Sequence, residues 1–70
     1  MEVILKKITH DTACIAVFDD SGNHNFLTEL EFAYRDVPEC RWEYEITEEL
    51  GIPEVPNKVL RQMHKAKIKG

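Results

Sequence analysis

Two apolar runs near the start of the chain, separated by a very short connection, restrict the fold more than any other feature. Residues 2–9 and 12–18 are rich in apolar and β-branched side chains, as β-strands are, and only residues 10–12 join them. A connection of this length joins antiparallel neighbours, because a parallel pair needs a crossover of a dozen or more residues. A third run, residues 24–33, follows the turn-forming segment Asp-Asp-Ser-Gly-Asn at 19–23. The sequence therefore predicts a three-stranded antiparallel meander.

The first two predicted strands are apolar on both faces. In the second strand, Ile15 and Val17 alternate with Ala16 and Phe18. A strand with one face in water should instead alternate apolar with polar residues. We therefore expect both faces of this part of the sheet to be covered, by the helices of the chain or by a second copy of it, and we predict a homodimer.

The third predicted strand alternates more regularly. Strict period two divides its side chains between the two faces of the sheet. One face is predicted to carry Phe26, Thr28, Leu30 and Phe32. The other is predicted to carry Leu27, Glu29 and Glu31. The two glutamates should then lie on one face, about 6.6 Å apart at the usual strand rise.

Residues 37–50 carry the signals of two different elements. Alternating apolar and polar residues over 41–47 favour a fourth strand. The boundaries favour a helix, with Asp36 as an N-cap that bonds the amide of Glu39 and with Gly51 as the C-terminal stop. The sequence leaves both interpretations open.

If residues 37–50 form a helix, its apolar side chains lie in two stripes on nearly opposite sides. The first stripe consists of Trp42, Ile46 and Leu50. The second consists of Val37, Cys40 and Tyr44. Such a helix needs contacts on two sides.

A last helix is predicted from Asn57 to about Lys67, after two prolines that disfavour helix in the residues preceding them. Its apolar stripe consists of Val59, Met63 and Ala66. Its basic stripe consists of Lys58, Arg61, Lys65 and Lys69. We thus predict one small α+β domain over residues 1–70: the meander, with or without a fourth strand, packed with one or two C-terminal helices.

Composition places the chain among globular proteins of a reducing compartment. Its hydrophobic content of 43 % is near the globular norm, and its two cysteines are too few for a disulfide scaffold. No apolar run approaches the ~20 residues needed to cross a membrane. The charges near the start follow the apolar residues, unlike those of a signal peptide. We therefore expect a cytoplasmic protein that does not contact membranes.

The residues that catalysis or a cofactor would need are sparse. The three glycines are far apart, so a phosphate-binding loop is not expected, and the only serine, Ser21, lies in a predicted turn. The five histidines and cysteines lack the spacings that zinc sites use. We therefore expect a protein that is not an enzyme and that holds no metal or cofactor.

The distribution of charge suggests an interaction surface. All 13 acidic residues lie within residues 1–57, and residues 58–70 carry five of the nine cations and no acid. We predict a small regulatory or inhibitory protein whose acidic surface engages a basic partner, including the nucleic-acid-binding site of another protein. The residues expected to contact the partner are Glu29, Glu31, Glu43, Glu45 and Glu48, with the aromatic side chains of Trp42 and Tyr44.

The alternative function is nucleic-acid binding through the basic helix at 57–69. Residues 46–68 resemble a helix-turn-helix, with Leu50-Gly51-Ile52 in place of the turn. They depart from that motif at Thr47, where alanine is usual, and at Pro56, which falls inside the expected recognition helix. The cations that would contact phosphates are Lys58, Arg61, Lys65 and Lys69.

Overall fold

The computed structural model describes residues 1–69, and it contains one antiparallel sheet and two helices. The strands are β1 (Glu2–Ile8), β2 (Ala13–Phe18) and β3 (Phe26–Phe32), and the helices are α1 (Glu39–Leu50) and α2 (Asn57–Lys69). The strand order is β1-β2-β3. The predicted α+β fold is confirmed. Residues 37–50 were compatible with a helix or a strand, and Glu39–Leu50 of that segment form a helix.

One face of the sheet forms the core with both helices. Its side chains lie in three cross-strand rows: Val3, Val17 and Thr28; Leu5, Ile15 and Leu30; Ile8, Ala13 and Phe32. α1 packs along β3 and α2 packs along β1. The helices contribute four fully buried side chains to this core: Trp42, Ile46, Val59 and Met63.

The opposite face of the sheet, the open face, has no helix on it in the described part of the chain. Its cross-strand rows are Glu2, Phe18 and Phe26; Ile4, Ala16 and Glu29; Lys7, Cys14 and Glu31. The helices of the chain therefore cover one face of the sheet, and cover of the other face by a second copy stays a prediction.

Phe26 lies on the open face, so its predicted place beside Thr28 on the core face is wrong. The cause is an irregularity in the pairing of β2 and β3, where Val17 pairs with Thr28 but Phe18 pairs with Phe26. The extra residue in β3 reverses the alternation at this point. The rings of Phe18 and Phe26 are consequently 5.9 Å apart, edge to face.

α1 begins and ends by different means. Pro38 occupies the N-cap position and no side chain caps the helix, so the predicted bond from the Glu39 amide to Asp36 is wrong. Asp36 instead belongs to the preceding turn, where its amide donates to the carbonyl of Ala33. The predicted stop at Gly51 is confirmed: its φ is 66°, and the amides of Gly51 and Ile52 both donate to the carbonyl of Thr47.

A single carboxylate organises the loop between β2 and β3. Asp19 accepts hydrogen bonds from the hydroxyl of Ser21 at 2.6 Å and from the amides of Ser21 and Asn25, both at 3.1 Å. These hydrogen bonds lower the pKa of Asp19, and the bond from the Ser21 hydroxyl has the largest effect. His24 adopts the left-handed conformation in this loop, with φ 47°.

Candidate protein-binding surface

The inner side of α1 is held by Trp42, which is fully buried. Its indole N–H donates to the carbonyls of Tyr34 at 2.8 Å and Val37 at 2.9 Å, in the segment that joins β3 to α1. The Tyr34 hydroxyl in turn donates to the carbonyl of Thr9 at 3.1 Å, in the β1–β2 connection. Trp42 is therefore a core residue, and its predicted role as a partner contact is wrong.

A cluster of charged groups joins the two helices at their edge. The Glu39 carboxylate lies 2.9 Å from Nδ1 of His64 and 3.1 Å from Nζ of Lys67. The Lys67 ammonium also lies 5.4 Å from the centre of the Trp42 ring. Glu39 thereby orients α1 against α2, and its charge is locally balanced.

The last turn of α2 is bonded by an arginine from a different part of the chain. Arg35 donates to the carbonyls of Ala66 at 3.0 Å and Lys67 at 3.3 Å. These carbonyls lie at the negative end of the helix, where a cation is favourable. Sequence reasoning missed the structural roles of Tyr34 and Arg35, because neither belongs to a periodic pattern or a motif, and it placed Glu39 only in the cap of α1.

The outer side of α1 presents an aromatic ring with carboxylates and one cation, Arg41, near it. Tyr44 is 64 % exposed, and Cys40 and Glu48 lie one helical turn before and after it. Glu43 and Glu48 are exposed and Glu45 is half-buried. No ion pair reaches any of these three carboxylates from residues 1–69. We call Cys40, Glu43, Tyr44, Glu45 and Glu48 the α1 outer surface.

Glu29 and Glu31 do not join the α1 outer surface. They lie on the open face of the sheet, whereas α1 packs on the core face, so the sheet separates the two groups. Glu29 forms an ion pair with Lys6, with 3.1 Å between Oε2 and Nζ, and this contact raises the pKa of Lys6. The predicted acidic residues therefore belong to two surfaces rather than one.

The basic residues of α2 lie together on its solvent side. Lys58, Arg61, Lys65 and Lys69 are all exposed. Within the described residues none of these four pairs with a carboxylate, unlike Lys67. Residues 51–56 join α1 to α2, and this connection is longer than the three- or four-residue turn of a helix-turn-helix, so that motif is not formed.

Two further properties concern ligands and membranes. Over residues 1–69, no three histidine, cysteine, aspartate or glutamate side chains come together as a metal ion would require. Both cysteines are free; Cys40 is exposed, and Cys14 is half-buried on the open face. Neither helix, over the range described, is long and apolar enough to cross a membrane.

Comparison with known proteins gives no assignment. No protein-family model, no curated protein and no solved structure matches the chain. The surfaces described above are therefore the features that indicate a function.

Proposed function

We propose that this protein is a non-catalytic regulatory domain that binds a basic protein through the α1 outer surface. The observation that carries the proposal is Tyr44, a large aromatic side chain that is 64 % exposed on a helix whose other side is fixed in the core. Tyrosine is enriched in protein interfaces, because its ring buries a large area at a small cost in conformational entropy. An exposed tyrosine on a fixed helix is therefore suited to anchor a partner.

The carboxylates around Tyr44 determine the chemistry of that partner. Glu43, Glu45 and Glu48 form no ion pair within residues 1–69, so they are available to cations of another molecule. A partner of opposite charge is steered toward such a surface, and its association becomes faster at low salt. A groove that binds nucleic acid has the required cations, and the glutamates would occupy the positions of its phosphates. The domain would thus act as an inhibitor of that partner.

The test is photo-crosslinking in the native host. A photoreactive phenylalanine derivative replaces Tyr44 in one variant and Lys58, an exposed residue of α2, in a matched control. The proposal expects a protein adduct from position 44 and none from position 58. It also expects the adduct to disappear when Glu43→Lys and Glu48→Lys are added. An adduct that persists in that background would refute the role of the carboxylates.

A second function is favoured by the four exposed cations on α2. Lys58, Arg61, Lys65 and Lys69 extend along one side of a 13-residue helix without acidic partners in the described chain. Such a stripe is suited to phosphate contacts, which would make binding strongly salt-dependent. Under this alternative, Lys58→Glu with Arg61→Glu and Lys65→Glu abolishes nucleic-acid binding, whereas Glu43→Lys with Glu48→Lys leaves it unchanged or stronger. The proposal for α1 expects the opposite order for protein binding.

A further inference from the structure

The open face of the sheet combines apolar side chains with charges of both signs. Phe26 is 54 % exposed, and Phe18 and Ile4 are half-buried near it. These apolar groups occupy the centre of the face and one end of it. At the other end a depression of about 380 Å³ is lined by Lys6 and Lys7 of β1 and by the glutamates of β3. An apolar area of this kind on one side of a three-stranded sheet is typical of an interaction site.

The charges are divided between the two edges of the sheet. Lys7 on β1 and Glu31 on β3 lie in the same cross-strand row, with Cys14 of β2 between them. Lys6 and Glu29 form an ion pair across the same end of the face. Lys7 and Glu31 have no ion-pair partner within residues 1–69. At this end the face is therefore positive at the β1 edge and negative at the β3 edge, whereas the other end of β1 carries Glu2.

We propose that the open face binds the open face of a second copy of this chain, about a two-fold axis parallel to β2. Rotation about that axis lays β1 of each copy over β3 of the other and preserves the position along the strands. Lys7 of each copy then faces Glu31 of the other, and the pairs between Lys6 and Glu29 lie beside them. The β2 side chains Phe18, Ala16 and Cys14 meet their counterparts along the axis, whereas Phe26 and Ile4 lie opposite Glu2 and Glu29 of the other copy. Such an interface is self-complementary, as two-fold symmetry requires.

The other face-to-face arrangement is disfavoured by the same charges. A two-fold axis perpendicular to the strands would lay β1 over β1 and reverse the direction along the strands. Glu31 of one copy would then cover the ring of Phe26 in the other, and the two Glu29 carboxylates would face each other across the axis, although Lys7 would face Glu2. Charge complementarity therefore selects the axis parallel to β2.

The size of the face limits the strength of the dimer. Three strands spaced about 4.8 Å apart and about 20 Å long present roughly 300 Å² in projection. Two such faces bury roughly 600 Å² in projection, which is less than the area of a standard specific interface. We therefore expect weak, transient association. Because the helices lie on the opposite side of each sheet, the pair would have four layers with both α1 outer surfaces exposed.

The first experiment reverses the charge of one edge of the open face in each of two variants. One variant carries Lys6→Glu and Lys7→Glu, and the second carries Glu29→Lys and Glu31→Lys. Each variant alone should dimerise at least about tenfold more weakly than the natural chain, since like charges then face each other. An equimolar mixture should form a heterodimer, because each all-acidic edge then faces an all-basic edge. Sedimentation equilibrium measures all three associations, and circular dichroism confirms that both variants are folded.

The second experiment places the interface on the sheet. In a Cys40→Ser chain, Cys14 is the only thiol and lies on the open face. Its alkylation rate should fall several-fold as the protein concentration rises through the dissociation constant. A natural chain that stays monomeric, a mixture that does not associate, or an alkylation rate independent of concentration in a dimeric sample would each overturn the proposal. The α1 proposal is independent of these results, because its surface lies on the other side of the molecule.

Discussion

Replacement of Trp42 by phenylalanine tests how α1 is held in place. The substitution keeps an aromatic ring between Tyr34 and His64, whose rings lie 5.7 Å and 4.9 Å from the indole. It removes the N–H that donates to the carbonyls of Tyr34 and Val37. Any loss of stability beyond that caused by the smaller size of the phenyl ring therefore reports on these two hydrogen bonds.

The expected loss follows from burial and hydrogen bonding. A hydrogen bond contributes about 1 kcal/mol net, and a buried carbonyl left without a donor costs about 1–3 kcal/mol. The lost ring volume adds a cavity term, because Trp42 is fully buried. We expect Trp42→Phe to lower the free energy of unfolding by about 2–4 kcal/mol. Against roughly 4–10 kcal/mol for a domain of this size, that is a large fraction.

Urea unfolding followed by far-ultraviolet circular dichroism measures the change, since the variant lacks the only tryptophan. With a slope of about 1 kcal/mol per molar urea, the midpoint should fall by about 2 M or more. Tyr44→Ala on the outer side of the same helix is the matched control, and it should change stability by less than about 0.5 kcal/mol. A midpoint for Trp42→Phe within about 0.5 M of the natural chain would refute the reasoning.

Three other predictions concern Asp19, Arg35 and the two cysteines. Asp19→Ala should lower the urea midpoint at neutral pH. Because folding lowers the pKa of Asp19, its carboxylate stabilises the fold at pH values above the ordinary carboxyl pKa. The difference in urea midpoint between the two chains should therefore vanish as the pH falls through the lowered pKa. A difference that stays constant with pH would contradict this. Arg35→Met should cost about 1–3 kcal/mol and speed amide exchange in the last turn of α2, whereas the exposed Arg41→Met should do neither. Cys40 should react with a thiol reagent faster than Cys14, whose pKa is raised by burial and then by Glu29, and equal rates would show that the open face does not shield Cys14.

The parts of this structure that depend on neighbouring residues were predictable from sequence. The short connections required antiparallel pairing of β1, β2 and β3, and Gly51 marked the end of α1 because glycine readily adopts the left-handed conformation. The apolar and basic stripes of α2 also followed from periodicity alone. Each of these features is set by interactions within a few residues.

The choice of helix for residues 39–50 required the tertiary structure. That segment has both the alternating apolar pattern of a strand and the boundary signals of a helix. In the structure, the inner stripe of the helix packs in the core through Trp42 and Ile46. Of the outer stripe, Val37 packs against the core, whereas Cys40 and Tyr44 are exposed. Sequence could list both stripes but could not assign either to the core, because burial depends on what packs against the segment.

The division of the candidate binding residues was also decided by tertiary structure alone. Seven residues were predicted to form one surface, yet Trp42 is in the core, Glu29 and Glu31 lie on the open face, and the others lie on α1. An irregularity of one residue in β3 moved Phe26 to the open face, which no strict period can anticipate. Sequence determined which chemical groups this chain possesses and in which local elements they lie. The packing of both helices on the same face of the sheet determined which of those groups meet, because that arrangement depends on contacts between residues far apart in the chain.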